Sequence, residues 1–380
     1  MSVPVLPVPE RPLFELWPAL VDSVGFSALG EFPTPVEPLL RLVPSLGAAA
    51  RDCHVKRDDL SSPVYGGNKV RTLEPLFGQA LREGKSWVAA TGAYGSNHAV
   101  ASVLHGARLG LSCAVLLFPQ PVSETAQANL RVSLARAGRV ISLPHWSCLP
   151  AGMWWFERGQ RQRGEPALIM PPGGAIPRGG LGFFSAGLEL GLQVQAGVLP
   201  APREVVLALG STCSSAGLLV GLLVATRLGL GFGGPRGFRP GLVAVRVTPW
   251  PVTSAFRILG LACQLTRWLR ALTGDRVFEI ERAELARGLE VDGRQLGAGY
   301  GRPTAAGLAA LERAGDFAPA LDTTYSAKSA AALFERLTRR PNCVRLFWST
   351  KSSAPLPDVS RGELESAPPR MLRWLAQPAH

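Results

Sequence analysis

Residues 204–228 are EVVLALGSTCSSAGLLVGLLVATRL. The apolar segment Glu204–Leu209 predicts a buried strand, and the small-residue and leucine-rich segment Ser215–Leu228 predicts a helix. The glycine, serine and threonine residues between them predict a turn. A strand that turns directly into a helix is one unit of a parallel sheet. Although residues 205–230 form the longest apolar stretch, their Gly and Ser residues favour a buried core element over a membrane span.

The same pattern recurs along the chain, with helical segments after most of the strands. Further strands are predicted at Trp87–Thr91, Cys113–Phe118, Arg139–Leu143, Ala167–Met170, Leu242–Val247 and Val344–Trp348. This alternation predicts an α/β fold in which parallel sheets carry helices on both faces. Ligands of such folds bind at the carboxyl ends of strands, so the turns at Gly92–Asn97 and Gly210–Ser215 are the candidate sites.

Composition excludes several classes of protein. A chain of 380 residues is long enough for two domains with a large core. The net charge of +12 comes almost entirely from scattered arginines, without the basic stripe of a nucleic-acid surface. No two of the six cysteines are close enough in sequence for a metal knuckle or a CxxC pair, and this pattern suits a reducing cytoplasm. The N-terminal residues lack a signal-peptide pattern, and no membrane span is expected.

Lysine is rare in this chain, and one lysine has an unusual setting. Lys69 lies in Val64-Tyr65-Gly66-Gly67-Asn68-Lys69-Val70-Arg71. The two glycines allow the backbone to approach a planar ligand closely, and the apolar residues beyond predict burial. Burial lowers the pKa of an amine and makes it nucleophilic. A surface lysine remains the alternative.

Two turns carry polar groups at predicted helix starts. Gly210-Ser211-Thr212-Cys213-Ser214-Ser215 combines backbone N–H groups with hydroxyls, which is typical of an anion site. Thr91-Gly92-Ala93-Tyr94-Gly95-Ser96-Asn97-His98 places Ser96 and Asn97 where they either cap the helix or contact a ligand. Simple helix capping is the alternative for both turns.

Together these segments resemble the pyridoxal 5′-phosphate (PLP) enzymes of fold type II, and within them the 1-aminocyclopropane-1-carboxylate deaminase and D-cysteine desulfhydrase group. The resemblance spans residues 33–357. Its further motifs are Pro171-Pro172-Gly173-Gly174, Gly182-Phe183, Gly299-Tyr300-Gly301, Leu321-Asp322-Thr323-Thr324-Tyr325 and Phe347-Trp348-Ser349-Thr350.

The resemblance implies a tryptophan-synthase-β-like fold with two domains. Residues 1–70 and 186–354 are expected to form the large cofactor-binding domain and residues 71–185 the small domain, with a loosely held tail at 355–380. Family members usually self-associate, so a homodimer is expected.

The resemblance also implies roles for individual residues. Lys69 would form the Schiff base with PLP, and Asn97 would bond the phenolic oxygen of the cofactor. Ser96 would lie near the carboxylate of the substrate, and Tyr325 would face the substrate. Gly210, Ser211, Thr212, Cys213, Ser214 and Ser215 would hold the phosphate.

Several positions depart from the family pattern. Thr212 and Cys213 replace glycines, Thr72 replaces a second basic residue, and Lys351 replaces a glycine in Ser349-Thr350-Lys351-Ser352. Ser326 occupies the position of a glutamate that partners the pyridine nitrogen in the cyclopropane deaminases. A neutral partner, from Ser326 or Thr350, makes PLP a weaker electron sink and favours β-elimination over ring opening.

The sequence therefore predicts a PLP-dependent lyase or deaminase that acts on a small amino acid. The expected reaction is an α,β-elimination like that of D-cysteine desulfhydrase, which gives a 2-oxo acid and ammonia. The alternatives are 1-aminocyclopropane-1-carboxylate deamination, another fold type II activity (racemisation, β-replacement or a biosynthetic lyase), or a non-catalytic PLP-binding protein.

Overall fold

The computed structural model describes residues 10–233, 239–315, 319 and 321–379. Residues 1–9, 234–238, 316–318, 320 and 380 belong to the predicted large domain or tail and lie outside the described part. The strands of the described residues form two separate sheets, which confirms the predicted α/β class.

Ten strands are present in the described residues. They are β1 Val36–Pro38, β2 Cys53–Lys56, β3 Trp87–Ala93, β4 Ser112–Phe118, β5 Arg139–Ser142, β6 Ala167–Met170, β7 Glu204–Leu209, β8 Gly241–Arg246, β9 Leu289–Asp292 and β10 Arg345–Trp348.

The α-helices in the same residues alternate with most of these strands. They are α1 Pro12–Leu16, α2 Leu20–Ser23, α3 Leu39–Leu42, α4 Asn68–Arg82, α5 Asn97–Arg108, α6 Glu124–Arg136, α7 Leu149–Gln162, α8 Pro177–Gln195, α9 Thr212–Arg227, α10 Ala255–Thr273, α11 Arg282–Arg287, α12 Ala305–Ala314, α13 Ser326–Arg339 and α14 Pro369–Leu375.

The larger sheet has six strands in the order β1-β2-β10-β7-β8-β9. Neighbours pair in parallel except β1 and β2, which are antiparallel. This exception lies at the edge, where Pro38 is tolerated because an edge strand does not need every N–H group. Helices α8, α9 and α10 pack on one face of the sheet. Helices α3, α12 and α13 pack on the other face.

The smaller sheet has four parallel strands in the order β5-β4-β3-β6. One face packs against α4, α5, α6 and α14, and the other packs against α7. Because parallel strands share one carboxyl edge, the turn after β3 and the turn after β7 each open at the edge of a sheet.

The helices add three observations to the sequence analysis. Helix α4 was not expected, since Pro75 lies in its interior and proline usually breaks a helix. Helices α4 and α8 both run across the expected domain boundaries, and those boundaries stay predictions. The tail expected to be loosely held carries α14, in which Met371 is fully buried and Trp374 stacks edge-on against Tyr94.

Candidate active site

Lys69 is the second residue of α4, and its position depends on a close backbone contact. Gly67 precedes the helix with φ +86°, and a Cβ atom there would lie 2.4 Å from the carbonyl oxygen of Thr350. The N–H group of Asn68 donates to that same oxygen at 3.1 Å. Glycine is therefore required at residue 67, where the start of α4 is held against the segment after β10.

Lys69 differs from the other four lysines in lacking a partner. Within the described residues its amine makes no hydrogen bond or ion pair, whereas the other lysine amines each contact an oxygen atom. Their partners are Glu189 for Lys56, Glu83 for Lys85, the carbonyl oxygens of Leu296 and Gly299 for Lys328, and the carbonyl oxygen of Ser352 for Lys351. A free amine in a partly buried position is available for covalent chemistry.

The surroundings of the Lys69 amine favour its neutral form. A Cβ atom at Gly173 would lie 3.5 Å from Nζ of Lys69 and 2.4 Å from Oγ of Ser211. Burial lowers the pKa of Lys69, and the nearby thiol of Cys213 opposes this in part. A lowered pKa leaves a larger fraction of the amine unprotonated and nucleophilic at neutral pH.

The loop after β7, here called the anion loop (Gly210–Ser215), leads into the start of α9. Ser211 is the N-cap residue, but its side chain accepts no capping hydrogen bond. The hydroxyls of Ser211 and Ser215 are buried and make no hydrogen bond among the described residues. Buried hydroxyls normally have partners. Together with the free N–H groups of a helix N-terminus, they fit the oxygens of a phosphate group.

Ser214 and Cys213, two other residues of this loop, form hydrogen bonds with neighbouring segments. Ser214 accepts a hydrogen bond from Nδ2 of Asn68 at 3.2 Å, and the thiol of Cys213 donates to the carbonyl oxygen of Gly174 at 3.1 Å. Thr212 is almost fully buried. The thiol at the expected glycine position therefore fills space behind the loop and ties it to the Gly173–Gly174 turn.

The turn after β3 holds Ser96 and Asn97 at the start of α5. Oγ of Ser96 accepts a hydrogen bond from the N–H group of Ala99 at 3.2 Å. Ser96 therefore caps the helix, which was the capping alternative for this turn. Its own O–H proton stays free to donate, and the N–H groups of Asn97 and His98 have no acceptor among the described residues. This helix start can bind a carboxylate.

Tyr325 lies beside the anion loop and bonds a second tyrosine. A Cβ atom at Gly210 would lie 2.4 Å from Cε1 of Tyr325, so the loop and the ring are in direct contact. The hydroxyls of Tyr300 and Tyr325 form a hydrogen bond. Burial raises the pKa of Tyr300 to about 12, and burial together with Tyr300 raises the pKa of Tyr325 well above its usual value. Both phenols therefore stay protonated at neutral pH.

The two hydroxyl residues expected near the pyridine nitrogen have different environments. Oγ of Ser326 accepts from the N–H group of Asp322 at 2.7 Å and donates to Oδ2 of Asp322 at 3.1 Å. The hydroxyl of Thr350 makes no hydrogen bond to another described residue, although Thr350 is largely buried. Thr350 is therefore free to bond a ligand, whereas Ser326 already holds the Asp322 turn.

A pocket opens between the turn at residues 95–97, the start of α6 and the segments that carry Tyr300 and Tyr325. It is lined by Gly95, Asn97, Gln120, Thr125, Ala126, Tyr300, Asp322, Thr324 and Tyr325. The structure thus brings Asn97 and Tyr325 together, although they are far apart in sequence. Lys69, Thr350, Lys351 and the Gly210–Ser215 loop do not line it.

Sequence reasoning missed several residues around the site. Tyr65 and Asn129 both donate hydrogen bonds to the side chain of Asn97. His98 is buried with neither ring nitrogen bonded to any described residue. Tyr300 lies in one of the motifs of the family resemblance. Its contact with Tyr325 joins two distant segments, so the sequence around either residue does not reveal it.

A metal-binding cluster and a membrane-spanning helix are both absent from residues 10–233, 239–315, 319 and 321–379. These residues contain no group of three or more His, Cys, Asp or Glu side chains that could hold a metal ion. None of their helices combines the length and apolar character needed to cross a bilayer.

Comparison with known proteins identifies a family match over most of the chain. The model of the family described as "Pyridoxal-phosphate dependent enzyme" matches residues 28–326. The chain is 38% identical over 191 residues to nocardicin C-9′ epimerase from Nocardia uniformis subsp. tsuyamanensis, covering 49% of this chain and 57% of the epimerase. It is 36% identical over 195 residues to D-cysteine desulfhydrase from Salmonella paratyphi C, covering 50% of this chain and 58% of that protein. The matched region is thus somewhat more than half the length of these relatives.

Solved structures share the fold. A crystal structure described as an ACC deaminase homologue superposes with a TM-score of 0.71 at 24% identity, covering 88% of this chain and 94% of that one. A threonine deaminase isoform from Solanum lycopersicum superposes with a TM-score of 0.54 at 16% identity, covering 96% of this chain and 94% of that one. At these identities the likeness concerns the fold alone.

Proposed function

The chain belongs to the pyridoxal-phosphate dependent enzymes, and on this premise we propose that it binds PLP at Lys69 and eliminates a β-substituent from a small D-amino acid. The expected products from D-cysteine are pyruvate, sulfide and ammonia. The observation that supports this proposal most directly is the amine of Lys69, which has no partner among the described residues and lies beside a helix start whose buried hydroxyls also have none there.

The residues present fit the cofactor. The phosphate would be held by the N–H groups at the start of α9 and by the buried hydroxyls of Ser211 and Ser215, which have no protein partner among the described residues. At Gly173 and Gly210 a Cβ atom would come within 2.4 Å of Ser211 and Tyr325, so side chains there would fill the space around the ligand. Asn97 would bond the phenolic oxygen, and Thr350 the pyridine nitrogen.

PLP supplies an electron sink that stabilises negative charge at Cα of a bound amino acid. The protein must then remove the Cα proton and protonate the leaving group. The lowered pKa of Lys69 suits Nζ for accepting the Cα proton. The raised pKa values of Tyr300 and Tyr325 make them weaker acids but keep both phenols protonated, so that an O–H group is present to donate to the departing sulfur atom. The Cα–H and Cβ–S bonds break, and water later releases ammonia.

The start of α5 would orient the substrate. Its carboxylate would accept hydrogen bonds from the hydroxyl of Ser96 and from the N–H groups of Asn97 and His98, none of which has another acceptor among the described residues. A fixed carboxylate holds Cα in one orientation, and this positioning is a major part of catalysis.

The proposal is tested by supplying D-cysteine and β-chloro-D-alanine and measuring pyruvate and ammonia. The L-enantiomers and 1-aminocyclopropane-1-carboxylate serve as comparisons, with the Lys69→Ala variant as the control for the catalytic lysine. Pyruvate from the D-substrates alone supports the proposal. Faster 2-oxobutyrate release from the cyclopropane amino acid would replace it with ring opening.

A second candidate is epimerisation at Cα, because a relative that is 38% identical carries the name nocardicin C-9′ epimerase. Epimerisation would need proton transfer on both faces of Cα, with Lys69 as one proton carrier and a protonated tyrosine as the other. Incubation of single enantiomers in D₂O distinguishes the two reactions. Epimerisation gives the opposite enantiomer with deuterium at Cα, whereas elimination gives a 2-oxo acid.

We also propose a homodimer, on the basis of the family resemblance, and a cytoplasmic location, on the basis of the cysteine pattern. Light scattering of the purified chain tests the assembly, with twice the chain mass as the expected result.

A further inference from the structure

The side-chain amide of Asn97 is held by two donors. Its Oδ1 atom accepts hydrogen bonds from the hydroxyl of Tyr65 at 2.9 Å and from Nδ2 of Asn129 at 2.7 Å. The oxygen and nitrogen ends of an asparagine amide have nearly the same shape. Which end is which must therefore be decided from the hydrogen-bond partners.

The hydrogen-bond network decides the orientation of Asn97. Nδ2 of Asn129 also donates to the backbone carbonyl oxygen of Gly95 at 3.0 Å. A carbonyl oxygen can only accept, so the NH₂ end of Asn129 must face this turn. That NH₂ end also faces Asn97, and therefore the atom of Asn97 that meets it must be the oxygen.

Tyr65 is itself fixed and belongs to the segment that carries Lys69. Its ring is buried, and its carbonyl oxygen is bonded to Nε2 of His105 at 2.8 Å. Burial raises the pKa of its phenol, so the hydroxyl keeps its proton as a donor. Tyr65 precedes Lys69 by four residues, and its hydroxyl thus links the lysine segment to the turn at residues 95–97.

The consequence concerns the other end of the Asn97 amide. Nδ2 of Asn97 has no acceptor among the described residues, while Asn97 lines the pocket. We infer that Tyr65 and Asn129 are positioning residues, which keep the NH₂ group of Asn97 turned to the pocket so that it donates to the phenolic oxygen of PLP. This inference rests on the proposed function, because it needs PLP in this site.

Two substitutions test the inference, both on the cofactor-loaded protein before any substrate is added. Tyr65→Phe removes one hydroxyl and keeps the ring. Asn129→Asp replaces a donor with an acceptor of the same shape, so the NH₂ group of Asn97 should turn to the new carboxylate and present its oxygen to PLP. Tyr94→Phe is the matched control, since its hydroxyl bonds Ser142 and not Asn97.

The readout is the absorbance of bound PLP, with a band at about 410–430 nm when the phenolic oxygen is negatively charged and a band at about 330–340 nm when it carries the proton. Tyr65→Phe removes the hydrogen bond from the Tyr65 hydroxyl to Oδ1 of Asn97. This loss should lower the ratio of the first band to the second by about two- to tenfold, the effect of one hydrogen bond. The decrease should be larger in Asn129→Asp, and Tyr94→Phe should match the unmodified protein.

An unchanged ratio in Tyr65→Phe would overturn the inference, and this variant carries the test even where Asn129→Asp fails to fold. Asn97→Ala shows the full effect of losing the amide. A protein that binds PLP on Lys69 but gives equal ratios in Tyr65→Phe and the control contradicts the inference alone. A protein without bound PLP contradicts the proposed function as well.

Discussion

The hydroxyl oxygen of Tyr300 lies 2.5 Å from that of Tyr325, and the two rings meet edge-on at 5.9 Å between centroids. One tyrosine precedes α12 and the other precedes α13. The contact therefore joins two segments at one wall of the pocket, where both phenols are kept protonated.

Removing the hydroxyl of Tyr325 should slow turnover without releasing the cofactor. We expect Tyr325→Phe to lower kcat for pyruvate formation from D-cysteine about 10²–10³-fold, the effect usual for a general acid. Tyr300→Phe should lower it less, by about tenfold, because it removes the partner that orients Tyr325. Stopped-flow or steady-state kinetics measure kcat, while the absorbance of bound PLP should stay intact. Wild-type kcat in Tyr325→Phe would exclude this tyrosine as the proton donor.

The hydroxyls of the anion loop should matter for cofactor affinity. Ser215→Ala should raise the Kd for PLP about three- to tenfold, since one hydrogen bond to the phosphate is lost. Ser211→Asp should raise it more than tenfold, since a carboxylate repels the phosphate. Fluorescence titration of the apoprotein measures both. Ser27→Ala is the control, because Ser27 is another buried hydroxyl without a partner in the described residues. Equal Kd values in all three variants would place the phosphate elsewhere.

The two hydroxyl residues near α13 and β10 should respond differently to substitution. Ser326→Ala leaves an N–H group and a carboxylate oxygen of Asp322 without a partner, so it should lower the free energy of unfolding by about 1–3 kcal/mol. Thr350→Val should instead shift the absorbance of bound PLP and leave stability nearly unchanged. Urea unfolding and absorbance spectra of both variants provide the measurement. The reverse pattern would make Ser326 the ligand of the pyridine nitrogen.

His98 should make the protein less stable in mild acid. Burial and, to a lesser extent, the neighbouring Lys69 amine lower the pKa of His98 to about 3, so the folded protein keeps it neutral while the unfolded chain protonates near pH 6.5. The unfolded state then binds more protons below pH 6.5, and stability decreases as the pH falls. Between pH 7 and pH 5 this effect amounts to about 2 kcal/mol.

Urea unfolding at the two pH values tests this, with His98→Leu as the variant. The decrease in stability from pH 7 to pH 5 should be smaller by about 2 kcal/mol in His98→Leu than in the unmodified protein. His145→Leu is the control, since His145 is exposed. The same decrease in both variants would contradict a neutral, buried His98.

Much of this organisation could be predicted from sequence because it is local. The strand, turn and helix order at residues 87–108 and 204–227 lies in the apolar pattern, and the polar turns follow directly at residues 92–97 and 210–215. The setting of Lys69 is visible in the two glycines before it, and the structure gives the reason for one of them in the close approach of Gly67 to Thr350.

The remainder depends on contacts between distant segments. Asn129 holds Asn97 from another helix, and nothing around residue 129 distinguishes it from an ordinary helical asparagine. Helix α4 forms despite Pro75 because its apolar face packs in the core of the smaller sheet. In the Pro- and Arg-rich tail, Met371 and Trp374 lie three residues apart on one face of α14, a spacing too short to predict a packed helix by itself.

Borohydride reduction of the PLP-loaded protein, followed by peptide mapping, tests the central claim most directly. The reagent fixes PLP to the amine that holds it, so the mass of a pyridoxyl phosphate group should appear on the peptide that contains Lys69 and should be absent from Lys69→Ala. The other lysine amines are all partnered in the structure and should stay unlabelled. Label on Lys56, Lys85, Lys328 or Lys351, or on no lysine, would contradict the account.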